Sequence, residues 1–159
     1  MSNHKFTDKI KDKYKTENIL FPLFSFKYYN DKHSVYSFKY LNANVRLKEG
    51  ALNGLVDLLT KLSKMSLVDI GKLPKQSGYE TFDYTEFAES FVNTVQQNKE
   101  LHKQGNALNG IKLTVFRVKN PASDNDYRMI CKQDNYHQGS AHVFYILGFD
   151  FNFSAYTHG

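Results

Sequence analysis

A chain of 159 residues with 41% hydrophobic and 23% charged residues is long enough to bury a core without staples and too apolar to stay unfolded. Its one cysteine, Cys131, excludes an internal disulfide framework and a cysteine-based zinc site, and no run approaches the roughly 18 apolar residues of a membrane span, so a soluble protein of the cytoplasm is expected. The net charge of +5 suits a polyanionic partner such as nucleic acid and is equally an ordinary solubility charge; only Arg46, Arg117 and Arg128 among the basic residues are arginines.

Residues 1–16 set Lys5, Lys9, Lys11, Lys13 and Lys15 among Asp8 and Asp12, with no apolar stretch of the signal-peptide kind. They read as a basic arm, frayed or helical, ahead of a single domain over 17–159. Phe24-Ser25-Phe26-Lys27-Tyr28 is then echoed by Tyr36-Ser37-Phe38-Lys39-Tyr40, each alternating aromatic with small or charged residues. That two-residue period, with turn formers over 30–34 between the halves, predicts an antiparallel hairpin that tolerates Pro22 at its start.

Past Gly50 the period changes. Leu52, Leu55, Val56, Leu59, Leu62 and Met65 recur at helical spacing and predict a helix over 51–64. Ser66 caps a further short helical turn that Gly71 and Pro74 stop, and 75–78 is loop. Asp83 with Glu86 forms a capping pair ahead of Phe87, Phe91 and Val95, which predicts a second helix over 83–97; the polar stretch 98–110 connects it onward. Three strands follow at 112–118, 127–133 and 142–151, separated by a turn over 121–126 and a loop over 134–140. The last strand is nearly continuous in apolar residues from Val143 through Leu147, which suits a central position covered on both faces. The predicted fold is α+β: an antiparallel sheet made of the N-terminal hairpin and the C-terminal three-strand meander, with the two main helices packed on one face.

No glycine-rich phosphate loop, HExxH, CxxC or GxSxG elbow is present, and nothing calls for a cofactor. Cys131 lies in an apolar run and reads as a buried, inert thiol. Three constellations can carry chemistry. Asp150, Tyr156 and His158 follow the last strand: His158 suits acid–base work near neutral pH, Asp150 can orient it, and Tyr156 can donate to an oxyanion or phosphate. A folded-back tail whose aromatics cap the sheet has the same residues. On the meander, Lys112, Arg117, Lys119, Arg128 and Lys132 interleave with Phe116, Tyr127 and Tyr136, the mixture of cations and rings that holds single-stranded RNA. An ordinary solvent-facing sheet surface also alternates in this way. Asp134, His137, His142 and His158 have metal-binding side chains, but their spacing matches no established metal site.

The segment 36–41, the helices at 51–64 and 83–97, and the strands at 112–118, 127–133 and 142–151 follow in an order that resembles the RelE/ParE toxin superfamily. The run Tyr127-Arg128-Met129-Ile130-Cys131, followed by 143–150, is similar to the rhythm of that family's central strands. The resemblance implies an RNA-acting protein with an antitoxin partner, whose ribosome-dependent members cleave mRNA with scattered Arg, Lys, Tyr or His side chains. Arg128, Tyr156 and His158 are the residues onto which such roles carry over. The chain is longer than typical members and adds the arm, the N-terminal hairpin and the insertion at 98–110.

Functions of different class compete. One is a toxin-like protein acting on RNA or the ribosome, with Arg117 and Arg128 neutralising phosphate and Tyr156 or His158 moving a proton as the ribose hydroxyl attacks. Another is a non-enzymatic binding or inhibitor protein of phage or mobile-element origin that grips a host protein complex through its excess of rings, 11 Tyr and 13 Phe. A third is a subunit of a symmetric oligomer pairing through the edge of the aromatic hairpin.

Overall fold

The structure, a computed structural model, describes residues 20–75, 78–103, 111–136 and 141–156. The basic arm over 1–16, His137 and His158 lie outside the described residues, as does the side chain of Tyr136. Among the described residues five strands form one sheet: β1 (Pro22–Ser25), β2 (Tyr79–Asp83), β3 (Lys112–Val118), β4 (Tyr127–Tyr136) and β5 (Ala141–Asp150), in the spatial order β1-β5-β4-β3-β2. Four helices accompany them among the described residues: α1 (Val45–Ser63), α2 (Leu67–Gly71), α3 (Glu89–Gln96) and α4 (Lys99–Lys103). The chain is α+β, and none of its helices among the described residues is long and apolar enough to cross a membrane.

The meander forms where alternation placed it. β3, β4 and β5 pair antiparallel in sequence order, with Val115 opposite Ile130 and Cys131 opposite Ile146. β5 is flanked by strands on both sides and buries both of its faces, as its unbroken apolar run requires.

The N-terminal hairpin does not form. Pro22–Ser25 pairs alone and parallel to β5, Leu23 opposite Val143, so the sheet is mixed and not wholly antiparallel. The second half of the supposed hairpin is a 3-10 turn over Phe38–Leu41, started by Ser37, whose hydroxyl accepts from the Lys39 amide at 3.2 Å. Segment 36–41, the leading strand of the RelE/ParE-like order, is therefore no strand. Its alternating rings have another cause: the loop wraps the side of the sheet and supplies both cores. Tyr28 and Tyr36 enter one core; Tyr29 and Phe38 pack on the other. His33 fixes the wrap, its Nδ1 accepting from the Val35 and Tyr36 amides at 3.1 and 3.3 Å and its Nε2 lying 2.9 Å from the Thr94 hydroxyl on α3.

The helices lie on opposite faces of the sheet, not together on one. Ala51, Leu55 and Leu62 of α1 pack with Phe116, Met129 and Ile146, whereas Phe91 and Val95 of α3 pack with Val115, Ile130 and Leu147. Successive strand residues point to opposite faces, and here both faces are apolar, so each needs its own cover. Burying both faces of a five-stranded sheet takes one amphipathic helix per face.

α1 starts six residues before the predicted helix because Asn44 caps it, accepting from the Leu47 amide at 3.1 Å. Gly50 lies inside the helix and does not begin it. Its Cβ would stand 2.2 Å from Asn120 Oδ1, and one on Gly54 would stand 1.7 Å from the Lys119 carbonyl oxygen. Both glycines are there because the β3–β4 loop presses against this side of α1. Asn120, itself buried, locks the approach by donating to the Leu47 carbonyl at 3.1 Å and accepting from the Ala122 amide at 2.9 Å. The Asp83–Glu86 pair does cap, but over the 3-10 turn Tyr84–Glu86; the helix itself begins at Glu89. β2 was not foreseen, being five residues of mixed polarity on the sheet edge.

Candidate nucleic-acid interface at one end of the sheet

β3 and β5 finish, and β4 begins, at the same end of the sheet. There Arg117 stands opposite Arg128, and Arg128 opposite Asp150. Val115 and Ile130, two residues along, belong to the core under α3, so both arginines leave the sheet on that face. Opposed antiparallel residues hold their Cβ atoms about 4.5–5.5 Å apart, and like charges at that distance repel. Asp150, on the other side of Arg128, supplies the compensating charge.

Asp150 is 0% exposed, and both of its carboxylate oxygens are engaged: Oδ1 accepts from the Ser154 amide and Oδ2 from the Ala155 amide, each at 3.1 Å. The chain is thereby folded back over the sheet. Ala155 O then accepts from the Ala88 amide at 2.7 Å, and Tyr156 bridges Phe87. The Tyr156 ring lies against Phe82 and Phe87, centroids 4.8 and 5.4 Å away. Burial raises the pKa of its phenol, while Arg128, facing the same hydroxyl, pulls it partway back. A phenol so placed holds its proton at neutral pH.

At the apex of this turn Phe153 has φ 56, left-handed backbone that favours glycine, and its side chain is 43% exposed. The Arg128 guanidinium carbon lies 5.5 Å from the centre of that ring. On the opposite side of the sheet, the side that α1 covers, a groove of about 710 Å³ runs between α1 and the β3–β4 loop, lined among others by Asp57, Lys61, Arg117, Lys119 and Asp126; Arg128 and Phe153 do not line it. Close contact of Gly54 with the Lys119 backbone brings α1 near enough to form its wall.

Of the residues singled out in the sequence, Arg117, Lys119, Arg128, Asp150 and Tyr156 therefore meet at one end. Lys112 does not join them; it is exposed at the far end of β3, opposite Asp83. Nor does Lys132 belong to an open basic face, being 4% exposed with its ammonium donating to Asp134 Oδ2 at 2.5 Å. His142 is bound into the sheet: Nε2 is 2.7 Å from Gln133 Oε1, Nδ1 contacts Asn135 Oδ1, and Gln133 in turn donates to Thr114. Burial lowers the pKa of His142, with Asp134 opposing. Among the described residues no three His, Cys, Asp or Glu side chains converge as metal ligands. Cys131 is fully buried, which pushes its thiol up and leaves it inert.

No known family, curated protein or solved structure matches the chain. Its function has to be read from this geometry.

Two contributors escaped the sequence reading. Phe153 was part of an aromatic string read as a cap, and only its positive φ separates it from its neighbours. Lys61 falls off the apolar face that predicts the helix, and its place in the groove depends on where the β3–β4 loop lies.

Proposed function

We propose that the protein binds RNA at the end of the sheet formed by Arg117, Arg128, Lys119 and Phe153. The observation that carries this reading is the pairing of Arg117 against Arg128: two of the three arginines in the chain stand opposite each other despite their repulsion, beside an exposed ring. One carboxylate, Asp150, faces this pair of cations in the empty protein, and phosphate groups lying beside them would add the further negative charge that two arginines can hold. This reading gives Asp150 a structural part, because it is buried and its two oxygens hold the Ser154 and Ala155 amides. In a toxin-like ribonuclease, Arg128 and Tyr156 remain to face the scissile phosphate.

Fluorescence polarisation with a labelled RNA at stepped salt tests the reading. Binding should weaken with salt, and Arg117→Ala or Arg128→Ala should each lower the slope of log affinity against log salt by about 1. Resolving the same mixtures on a denaturing gel separates binding from cleavage. Wild-type protein that fails to bind RNA even at low salt removes the proposal.

A protein-binding function has one observation of its own. Val45, Leu52 and Val56, at 67%, 41% and 62% exposure, form an apolar stripe on the outer side of α1. An adaptor or inhibitor of a host complex, of phage or mobile-element origin, would use it. Leu52→Lys with Val56→Lys should then abolish capture of a partner that the wild type retains, and unchanged capture would exclude the stripe.

A further inference from the structure

The turn that closes the sheet bears on which form of RNA the proposed site would take. Its shape is set by Asp150, which holds the Ser154 and Ala155 amides, and by the Ser154 hydroxyl donating to Asn152 Oδ1 at 2.5 Å. None of these bonds needs a ring at position 153, and the left-handed φ of 56 favours glycine there. The chain nevertheless places a phenylalanine at the apex, with 43% of its surface exposed and the Arg128 guanidinium over it. The other two rings of the same string, Phe149 and Phe151, pack inward against Tyr127. Tyr40, also 43% exposed, lies nearly parallel to Phe151 with their centres 6.0 Å apart at this end of the molecule.

We infer, resting on the RNA-binding reading above, that the ligand is single-stranded, with an unpaired base stacking on the exposed part of Phe153 while the neighbouring phosphates meet Arg128 and Arg117. A duplex keeps its base faces stacked on each other and offers this site only backbone. A single strand offers both a π-face and a phosphate within one nucleotide, which is the pairing of chemistries that Phe153 and Arg128 present. Asp150 acts as a positioning residue, since it holds the turn that displays the ring.

The experiment compares three labelled probes of equal length: oligouridine, a strand with the same phosphates but abasic sugars, and an RNA duplex. Wild-type protein should bind oligouridine roughly five- to a hundred-fold more tightly than the abasic strand, the range of one stacked base. Phe153→Gly removes the ring and suits the left-handed turn, so it should bring oligouridine down to the affinity of the abasic strand without unfolding the protein. Its salt slope should match the wild type, because no phosphate contact is lost. Phe153→Leu, which keeps apolar bulk but no π-face, should behave like Phe153→Gly. If wild-type protein binds the abasic strand or the duplex as tightly as oligouridine, or Phe153→Gly keeps full oligouridine affinity, stacking is overturned while phosphate recognition stands. If no probe binds at low salt, both readings fall.

Discussion

Replacing Asp150 separates a structural carboxylate from a catalytic one. The side chain is fully buried and accepts two backbone amide bonds at 3.1 Å. A hydrogen bond to a charged group contributes about 1.5–3 kcal/mol, and a buried amide left without its partner costs about 1–3 kcal/mol. Asp150→Ala orphans both amides and should cost roughly 3–5 kcal/mol. Asp150→Asn keeps the shape and one acceptor oxygen but turns an NH2 toward the other amide, for roughly 1–3 kcal/mol. Urea unfolding checks both: the midpoint should fall while its slope stays that of the wild type. The charge itself gives a second readout. Without the carboxylate, Arg128 faces Arg117 uncompensated, so the deficit of Asp150→Asn should shrink as salt is added. An Asp150→Asn protein as stable as the wild type would refute the account, because buried carboxylates kept for catalysis are commonly destabilising and their loss is tolerated or favourable.

Gly54→Ala would stabilise an ordinary exposed helix by about 1 kcal/mol; here the new Cβ meets the Lys119 carbonyl oxygen at 1.7 Å and should instead destabilise by about 1–3 kcal/mol, read as a lowered melting temperature. For His142, burial favours the neutral ring in the folded state, so the unfolded chain takes up the proton first. Stability should therefore fall as pH drops through the ordinary value of 6.5 and level off below the lowered folded value. His142→Gln should flatten that part of the profile in urea unfolding between neutral pH and about pH 5.

Local rules were legible where the chain obeys them locally. The alternation of β3 to β5 and the Ser66 and Asp83–Glu86 caps are short-range patterns, and each appears close to its predicted place. The misread elements are those whose sequence answers to distant partners. Gly50 looks like the residue ahead of the helix until the loop at 119–122 is against it. The rings of 24–40 alternate like a strand's because a loop passes between two cores and feeds both. Lys132 looked like surface because a buried ion pair with Asp134 has the same residue types as a solvated face. Within the candidate site, the sequence yielded the arginines and the closing segment, but not that Asp150 would turn inward or Phe153 outward.

β1 has consequences for synthesis of the molecule. Among the described residues it is the first strand, and the one neighbour it has there is β5, the last. As translation proceeds, the run from Leu20 to Phe26 emerges early and then waits for nearly all the remaining residues before its partner exists. Such distant pairing is slow to nucleate and leaves a sticky segment unguarded. Those seven residues carry no charge, so until β5 exists Pro22 is the one residue among them that opposes pairing with a wrong strand.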